Sequence, residues 1–403
     1  MTRRPLRVFG ALALTGLLVA AAGCQSTPGE NTTEEGPIRI GVAIALTGSL
    51  SENAQSMVRG YELWAEQVNA AGGINGRQVE LIMYDDESNS DTARLMAERL
   101  VERDRVDLIL GPYGSPNTAA MAAVVERAGV PMIGAMESDA AARLSAGSTW
   151  AFQAFAPSVN DMDSFMQVAD RNGARKVALV VEDAGFTAPP TERVSQTLGP
   201  QLGMTIDVYK WSRNDLDFSS IVQRVDEGDY DAVYALGYLP GTIRFAQAMI
   251  ELGVQVDGIH LNGPDPALLN AFSLDKLEGV MGRTPWHYTL QTKGNEEFVQ
   301  AYLKKYPDAE PDLIHMGVAA AYAAGQLIQA AIEEVGLDKA KLKEFFATAK
   351  VDTVLGTYEL DSKGNQLGYK QYLGQWQDGV YTIVVGPQPD QDGRNAVWPK
   401  PNW

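Results

Sequence analysis

The chain has 403 residues, which is enough for two or three domains that each bury a hydrophobic core. Hydrophobic residues make up 45% and charged residues 21%, as in ordinary folded proteins, which excludes a largely disordered or fibrous chain. The net charge of -18 repels the phosphates of nucleic acids, and we therefore expect no nucleic-acid partner. A single cysteine excludes an intramolecular disulfide and a thiolate metal site, and with only three histidines we expect no metal or other cofactor.

The N-terminal residues have the pattern of an export signal. Three arginines precede an apolar run at 8–22, which is shorter than the ~20 residues of a membrane-crossing helix. The run ends in small residues directly before Cys24, an arrangement that resembles the processing site of bacterial lipoproteins. That resemblance implies cleavage before Cys24 and attachment of lipid to it, although Ala21 stands where the lipoprotein pattern prefers Leu. A plain secretory signal followed by an unrelated cysteine is the alternative.

On the lipoprotein interpretation, residues 1–23 are a signal peptide and residues 24–36 are a flexible tether. The segment 25–36 consists of polar residues, Gly and Pro, and it has no apolar side chain that could pack. The mature protein would then be exported and held by the lipid on Cys24, on the outer face of the cytoplasmic membrane or in the periplasm.

Strands alternate with amphipathic helices from residue 38 onward, which is the pattern of βαβ units. In a first set, the apolar periodicity predicts alternating strands and helices at 38–46, 57–68, 78–84, 91–101, 106–110, 117–126 and 131–133. In a second set, it predicts the same alternation at 176–181, 191–202, 205–209, 218–225, 232–236, 243–252 and 258–261. Late elements, which usually return to complete earlier lobes, are predicted as helices at 298–305, 316–335 and 341–349 and strand-like segments at 357–360 and 369–385. The two sets predict two α/β lobes, each a parallel sheet covered by helices on both faces.

Motifs that would indicate an enzyme are missing from the sequence. The turn at 47–51 has too few glycines for a dinucleotide site, and no phosphate-binding loop or Gly-x-Ser-x-Gly nucleophile motif occurs. The acidic residues at 85–87 are adjacent in a predicted loop, so we interpret them as solvated charges rather than a metal cluster. His260, His287 and His315 have no ligand spacing and are interpreted as core or surface residues. We therefore expect no catalytic activity, and an enzyme on the same fold is the alternative.

The loops of the chain are similar to those of one protein family in both order and spacing. The similar segments are 47–48, 69–77, 85–88, 111–115, 217–219, Tyr238, 263–265, 278–279 and 374–376. On these motifs the chain resembles the branched-chain amino-acid-binding family, the type I solute receptors of ABC importers. The resemblance extends over essentially the whole of 38–385.

The family resemblance implies an α/β fold of two doubly wound parallel-sheet lobes joined by three crossovers. Lobe 1 would comprise 37–154 and 286–360, and lobe 2 would comprise 155–285 and 361–403. The resemblance also implies a monomer that binds a small-molecule amino acid between its lobes, closes on it and delivers it to the membrane subunits of an ABC importer.

The loop after the predicted strand 106–110 is a candidate ligand site on physical grounds. Open parallel sheets bind ligands beyond the carboxyl ends of their strands, where helix N-termini present N–H groups. Segment 111–118 lies at such a point, and its amides and the hydroxyls of Ser115 and Thr118 suit a carboxylate. Ser115 and Thr118 could instead only cap the helix. Ser138 is at a position where the family places a Thr against the ligand, and a capping role is its alternative as well.

Asp265 completes the candidate site through the family resemblance. It aligns with the acidic residue that meets the ligand's ammonium group, so Asp265 and the 111–118 loop would together clamp a zwitterion. Because Asp265 would repel a plain anion, the expected ligand is an α-amino acid, branched-chain or otherwise mostly apolar. A neutral amide or an aromatic carboxylate is the alternative ligand, and a ligand-sensing domain for a signalling partner is the alternative role.

The walls of the side-chain pocket depart from the family pattern. Asn53 stands where the branched-chain binder presents an aromatic residue, and Phe186 stands where it presents a tyrosine. This predicts a pocket that is more polar on one wall. Tyr113, Phe186, Tyr238 and Trp286 could line the pocket or could be ordinary packing aromatics.

Overall fold

The computed structural model describes residues 36–215 and 217–403. The predicted signal peptide, Cys24 and the predicted tether up to residue 35 lie outside these described residues. Gly36–Trp403 form one compact unit. Within the described ranges, no helix combines the length and the apolar character needed to cross a membrane.

The strands and helices alternate along the described chain as the sequence predicts. The strands are β1 (Ile38–Ile44), β2 (Val79–Asp85), β3 (Leu108–Leu110), β4 (Met132–Gly134), β5 (Ala151–Gln153), β6 (Lys176–Glu182), β7 (Thr205–Trp211), β8 (Ala232–Leu236), β9 (Gly258–Asn262), β10 (Met281–Thr284), β11 (Val351–Thr353), β12 (Gly356–Tyr358), β13 (Tyr372–Gln377) and β14 (Val380–Val385). The helices are α1 (Ser51–Ala70), α2 (Ser90–Glu102), α3 (Ser115–Ala128), α4 (Ala141–Ser145), α5 (Asp163–Arg171), α6 (Ala188–Arg193), α7 (Gly199–Gln201), α8 (Ser219–Gly228), α9 (Leu239–Glu251), α10 (Pro266–Ala271), α11 (Leu274–Leu277), α12 (Asn295–Lys305), α13 (Met316–Val335) and α14 (Lys339–Thr348). A π-helical segment, Val194–Leu198, joins α6 to α7.

Two sheets form the framework of the two lobes. The first sheet has the strand order β2-β1-β3-β4-β5 and is parallel throughout, with Ile40 paired to Leu81 and Leu108 on either side. The second sheet has the order β14-β13-β10-β9-β8-β6-β7. Its strands from β10 to β7 are parallel, while β13 and β14 are antiparallel additions at one edge. The prediction of two doubly wound α/β lobes is therefore confirmed, with a mixed rather than purely parallel second sheet.

The chain passes between the two lobes three times. It leaves the first sheet after β5 and enters the second sheet at β6. After β10 it continues into α12 and α13, and α13 packs along α1 of the first lobe. After the β11–β12 hairpin it returns to the second sheet at β13.

The hydrophobic core lies on both faces of each sheet. In β6, Val177, Leu179 and Val181 belong to the cluster shared with α5, whereas Ala178 and Val180 belong to the cluster under α8 and α9. Successive side chains of a strand point to opposite faces, so this division means that β6 is covered on both sides. A third cluster fills the space between the first sheet and helices α2 and α3.

The contact between α1 and α13 depends on two glycines at close approaches. A Cβ atom at Gly60 would overlap the carbonyl of Val318, and a Cβ atom at Gly325 would overlap the ring of Trp64. The small residues let the two helix backbones come together. As a result, His315, which precedes α13, lies beside the first turns of α1.

The sequence analysis missed several short elements and predicted one strand-like stretch where the structure has two strands. Strands β5 and β10 and helix α5 were not predicted; β10 has Gly282 and Arg283 at its centre, so it lacks an apolar run. The segment predicted as one strand-like stretch at 369–385 contains the β13–β14 hairpin. Its turn is Asp378-Gly379, with φ of 51° and 79°, and this residue pair favours two-residue hairpin turns that need positive φ at both positions.

Candidate ligand-binding site

A cavity lies where the carboxyl ends of the two sheets face each other. Loops after strands of both sheets contribute to it, together with the starts of α1 and α13, in keeping with the rule for open α/β sheets. Its lining residues are Asn53, Tyr113, Gly114, Ser115, Met136, Ser138, Phe155, Phe186, Gly237, Tyr238, Asn262, Gly263, Pro264, Asp265, Arg283, His315 and Met316. The structure thus brings together Asn53, Tyr113, Ser115, Ser138, Phe186, Tyr238 and Asp265 of the sequence-predicted residues.

The first-lobe wall of the cavity is formed by the start of α3 and the loop after β4. Gly114 precedes α3 with φ of 92°, a backbone conformation that L side chains rarely adopt. Ser115 Oγ accepts a hydrogen bond from the Asp139 amide at 3.2 Å, so its own hydroxyl proton remains available to donate. Ser138 lines the cavity beside it.

Thr118 is not part of the cavity lining, contrary to the expectation from the sequence. Its side chain is fully buried, and its hydroxyl donates to the Gly114 carbonyl at 2.9 Å. Such a bond back to the preceding turn is common for Thr within a helix. The first-lobe wall of the cavity therefore presents the hydroxyls of Ser115 and Ser138 and the start of α3.

Asp265 lies on the second-lobe wall as an ionised and well-partnered carboxylate. It is 5% exposed and caps α10, because its Oδ1 accepts from the Ala267 amide at 2.9 Å. Its Oδ2 lies 3.3 Å from His315 Nε2. Burial raises the pKa of Asp265, but the hydrogen bonds from His315 and Ala267 and the charge of His315 outweigh burial and lower the pKa below its ordinary value.

His315 connects the first lobe to Asp265, and its ring is held by hydrogen bonds at both nitrogens. The backbone N–H of Gly317 donates to Nδ1 at 3.0 Å, and Ser56 Oγ lies 2.8 Å from the same nitrogen. The other ring nitrogen, Nε2, faces Asp265 Oδ2, and the hydrogen bond between them joins the two lobes. The sequence analysis gave His315 no role; its place just before the predicted helix 316–335 was the signal that could have indicated a helix-start residue.

Arg283 is a second cavity residue that the sequence analysis missed. Its Nε lies 3.1 Å from Asp161 Oδ2, and its backbone amide donates to His260 Nε2 at 3.0 Å. Burial raises the pKa of Asp161 to about 7, and the Arg283 charge partly offsets that effect. Arg283 Nη1 is buried and has no hydrogen-bond partner among the described residues. Arg283 was missed because it lies in β10, which has no apolar run.

Three aromatic rings form a connected wall of the cavity. The ring of Tyr238 lies 6.1 Å from that of Tyr113 and 5.2 Å from that of Phe186. Asn53 Nδ2 donates to the Tyr113 hydroxyl at 3.0 Å, which places a polar pair at one side. Trp286 is buried outside the cavity lining, and its Nε1 donates to Asn295 Oδ1 at 2.6 Å. Trp286 is thus a packing residue, which was one of its two sequence interpretations.

Comparison with known proteins identifies the family. A family described as "Periplasmic binding protein" matches residues 37–380. The chain belongs to this family. Its members are solute-binding proteins of ABC transporters, exported to the periplasm, so the predicted family and the absence of an enzyme function are confirmed.

Individual relatives of this binding protein cover almost the whole chain. The "Leucine-, isoleucine-, valine-, threonine-, and alanine-binding protein" of Pseudomonas aeruginosa is 24% identical over 389 residues, covering 95% of this chain and 99% of the relative. The structure of the substrate-binding protein LivJ from Streptococcus pneumoniae in complex with isoleucine has a TM-score of 0.75 at 23% identity, covering 86% and 99% of the two chains. A solute-binding protein from R. palustris in complex with 4-hydroxybenzoate has a TM-score of 0.76 at 22% identity, covering 88% and 98%. The structural likenesses show the shared fold.

Proposed function

We propose that this binding protein is the receptor of an ABC importer for a free α-amino acid. The observation that carries the proposal is a pair of opposed groups lining one cavity, the ionised Asp265 and Ser115 at the start of α3. An α-amino acid carries the two complementary groups on one carbon. Its ammonium would donate to Asp265, and its carboxylate would accept from Ser115 and the helix N-terminus.

The relatives support an amino acid and suggest a branched-chain or mostly apolar side chain. The Pseudomonas relative is named for five amino acids that are small or aliphatic, and the Streptococcus structure contains isoleucine. Met136, Phe155 and Phe186 provide apolar surface in the cavity for the hydrocarbon part of such a side chain.

An aromatic carboxylate is the second candidate, and two observations favour it. Asp265 already has protein partners in His315 and the Ala267 amide, so it needs no ammonium to be stabilised. The rings of Tyr113, Phe186 and Tyr238 could also contact a benzoate ring. A relative with the same fold is in complex with 4-hydroxybenzoate.

Calorimetric titration of the mature protein, stripped of bound solute, tests the two candidates against each other. The panel contains the standard amino acids, benzoate and 4-hydroxybenzoate, and the deamino analogue of every amino acid that binds, such as 4-methylpentanoate for leucine. The amino-acid proposal expects binding that is lost in the deamino analogue. Equal affinity for an amino acid and its deamino analogue would contradict it and favour the carboxylate candidate.

Anchoring through Cys24 and the lobe boundaries are further parts of the proposal. Replacing Cys24 with Ala is expected to leave unprocessed precursor or to release soluble protein, measured by cell fractionation; full membrane retention of mature-sized product would contradict the anchor. We assign 37–154 and 286–360 to lobe 1, and 155–285 and 361–403 to lobe 2. The distribution of strands between the two sheets supports these boundaries.

A further inference from the structure

A second cavity, which we call the outer cavity, lies directly beside the candidate ligand site. It is formed between the start of α1 in the first lobe and the starts of α9 and α10 in the second lobe. Its volume is about 290 Å³, whereas the cavity of the ligand site has a volume of about 50 Å³. Most of the space between the two lobes at this point is therefore outside the ligand site described above.

Two residues form the boundary between the ligand site and the outer cavity. Asn53 and Tyr238 line both cavities. Tyr238 is held firmly, because the guanidinium of Arg213 lies 4.2 Å from the centre of its ring and the ring of Phe186 packs against it at 5.2 Å. Asn53 has a short, half-buried side chain that is drawn towards Tyr113 by a hydrogen bond of 3.0 Å. The passage between the two cavities therefore lies at Asn53.

The walls of the outer cavity are apolar and its rim is polar. Leu50 and Leu239 are buried and Ile243 is half-buried, and each packs with the hydrophobic core of its own lobe, which fixes its position. Glu52 and Arg244 are exposed and carry opposite charges. These two charges offer no net attraction to a charged group, so the cavity suits an uncharged hydrocarbon or aromatic group.

The size of the ligand site indicates where the side chain of a bound amino acid would lie. A cavity of about 150 Å³ accommodates one benzene molecule, so the cavity of about 50 Å³ beside Ser115 and Asp265 is too small for a large side chain. The carboxylate and the ammonium group of an amino acid would occupy this space. The side chain would then continue past Asn53 into the outer cavity.

A third cavity, of about 260 Å³, is the other space that a side chain could enter. It shares His315, Asp265 and Asn53 with the ligand site, and the contact between His315 Nε2 and Asp265 Oδ2 closes part of this boundary. Arg59 and Ser56 also line it, so it offers polar and charged surface. An apolar side chain is therefore matched better by the outer cavity.

We propose that the outer cavity is the side-chain subsite of this receptor and that the solute is an α-amino acid with an uncharged side chain longer than that of leucine, either aromatic or straight-chain. This inference rests on the proposed function and narrows it. The carboxylate is held at Ser115 and the ammonium at Asp265. The side chain passes Asn53 and ends against Leu239 and Ile243.

Calorimetric titration of the mature protein, stripped of bound solute, with amino acids of increasing length tests the proposal. The straight-chain series is alanine, norvaline, norleucine, 2-aminoheptanoate and 2-aminooctanoate, and phenylalanine is compared with valine as an aromatic pair. Each added methylene that is buried against an apolar wall strengthens binding about fourfold. We expect this rise to continue beyond norleucine, or phenylalanine to bind at least tenfold more tightly than valine. A straight-chain series that stops rising at norleucine or earlier, together with phenylalanine no tighter than valine, would overturn the proposal.

Variants of the outer cavity identify the subsite, and the affinity ratio of 2-aminooctanoate to norvaline, or of phenylalanine to valine, is the quantity measured. Ile243→Asp places a charge against the hydrocarbon chain and is expected to lower the ratio at least tenfold. Asn53→Trp narrows the passage and is expected to lower it as well. Leu252→Asp is the matched control, because Leu252 is 53% exposed at the far end of α9 and the ratio should stay unchanged. A ratio that is unchanged in both Ile243→Asp and Asn53→Trp would overturn the proposal.

The outcomes separate this inference from the proposed function. If short amino acids bind and longer or aromatic ones gain nothing, the inference is wrong and the amino-acid receptor stands. If no amino acid of any length binds while 4-hydroxybenzoate does, the proposed function and the inference both fall.

Discussion

Replacing Asp265 with Asn is the sharpest test of the amino-acid site, because the two candidate ligands require opposite effects. Asn is as good a helix cap as Asp, so Oδ1 can continue to accept from the Ala267 amide and α10 should be retained. The bond to His315 loses its charged acceptor, which should cost the unliganded protein about 1 kcal/mol of unfolding free energy. The fold should therefore survive the change.

The effect on ligand binding is expected to be much larger. A buried ammonium that loses its carboxylate costs ~2 to 5 kcal/mol of binding free energy. That corresponds to an affinity loss of roughly 30-fold to several thousandfold. An aromatic carboxylate without an ammonium should instead bind Asp265→Asn as well as the wild type or better, because a repelling negative charge has been removed.

Thermal unfolding with and without ligand measures this difference. At a ligand concentration of ~100 times its dissociation constant, binding raises the free energy of unfolding of the wild type by ~2.7 kcal/mol. For a chain of this length, that increase raises the melting temperature by about 3 to 4 °C. At the same concentration, a 30-fold weaker variant gains only about 0.9 kcal/mol, and a thousandfold weaker one gains almost nothing. Asp275→Asn, an exposed acidic residue of the same lobe, controls for the change in net charge. An undiminished amino-acid shift in Asp265→Asn would refute the assignment of the ammonium site.

Two further predictions concern the fold around the site. Gly114→Ala should destabilise the protein by about 1 to 3 kcal/mol, because φ is 92° there and the new Cβ would lie 3.1 Å from the Tyr238 hydroxyl across the cavity; an unchanged denaturation midpoint would show that the loop relaxes. His287→Gln should flatten the acid side of the stability profile. Burial lowers the pKa of His287 to about 4, so between about pH 6.5 and about pH 4 the unfolded state binds a proton that the folded state does not bind. The free energy of unfolding of the wild type therefore falls by up to about 1.4 kcal/mol per pH unit as the pH is lowered through this range. Denaturant titrations at several pH values should show that the variant lacks this part of the loss, and parallel profiles of the two proteins would contradict it.

The sequence placed two residues at the cavity in two different ways, one from a strand end and one from the family resemblance. Ser115 comes after the apolar strand β3 and Asp265 comes after the apolar strand β9. Ligands bind beyond the carboxyl ends of parallel strands, so Ser115 could be placed at the cleft from the alternation of strands and helices, whereas Asp265 was assigned to it by the family resemblance. The family resemblance also added Ser138, Asn53 and Phe186 to the candidate site, and it left open whether the aromatic residues line the pocket or only pack.

The residues that the sequence analysis missed depend on contacts between distant segments. His315 reaches Asp265 because α13 packs along α1, which no local pattern indicates. Arg283 lies in a four-residue strand that has no apolar run, so the sequence pattern did not indicate a strand of the sheet there. Thr118 is the opposite case, because its position at a helix start suggested a ligand contact. In the structure, its hydroxyl donates to the Gly114 carbonyl instead.

The pairing of His315 with Asp265 determines how many acceptor sites of the carboxylate remain for a cation. A carboxylate has about four lone-pair sites, and Asp265 uses one for the Ala267 amide and one for His315 Nε2. An ammonium can therefore be added without displacing the histidine, whose ring is itself held by Gly317 and Ser56. His315 thus orients Asp265 and leaves about two lone-pair sites of the carboxylate for a ligand. A cationic group on the ligand can donate to these sites, and the site would select for it.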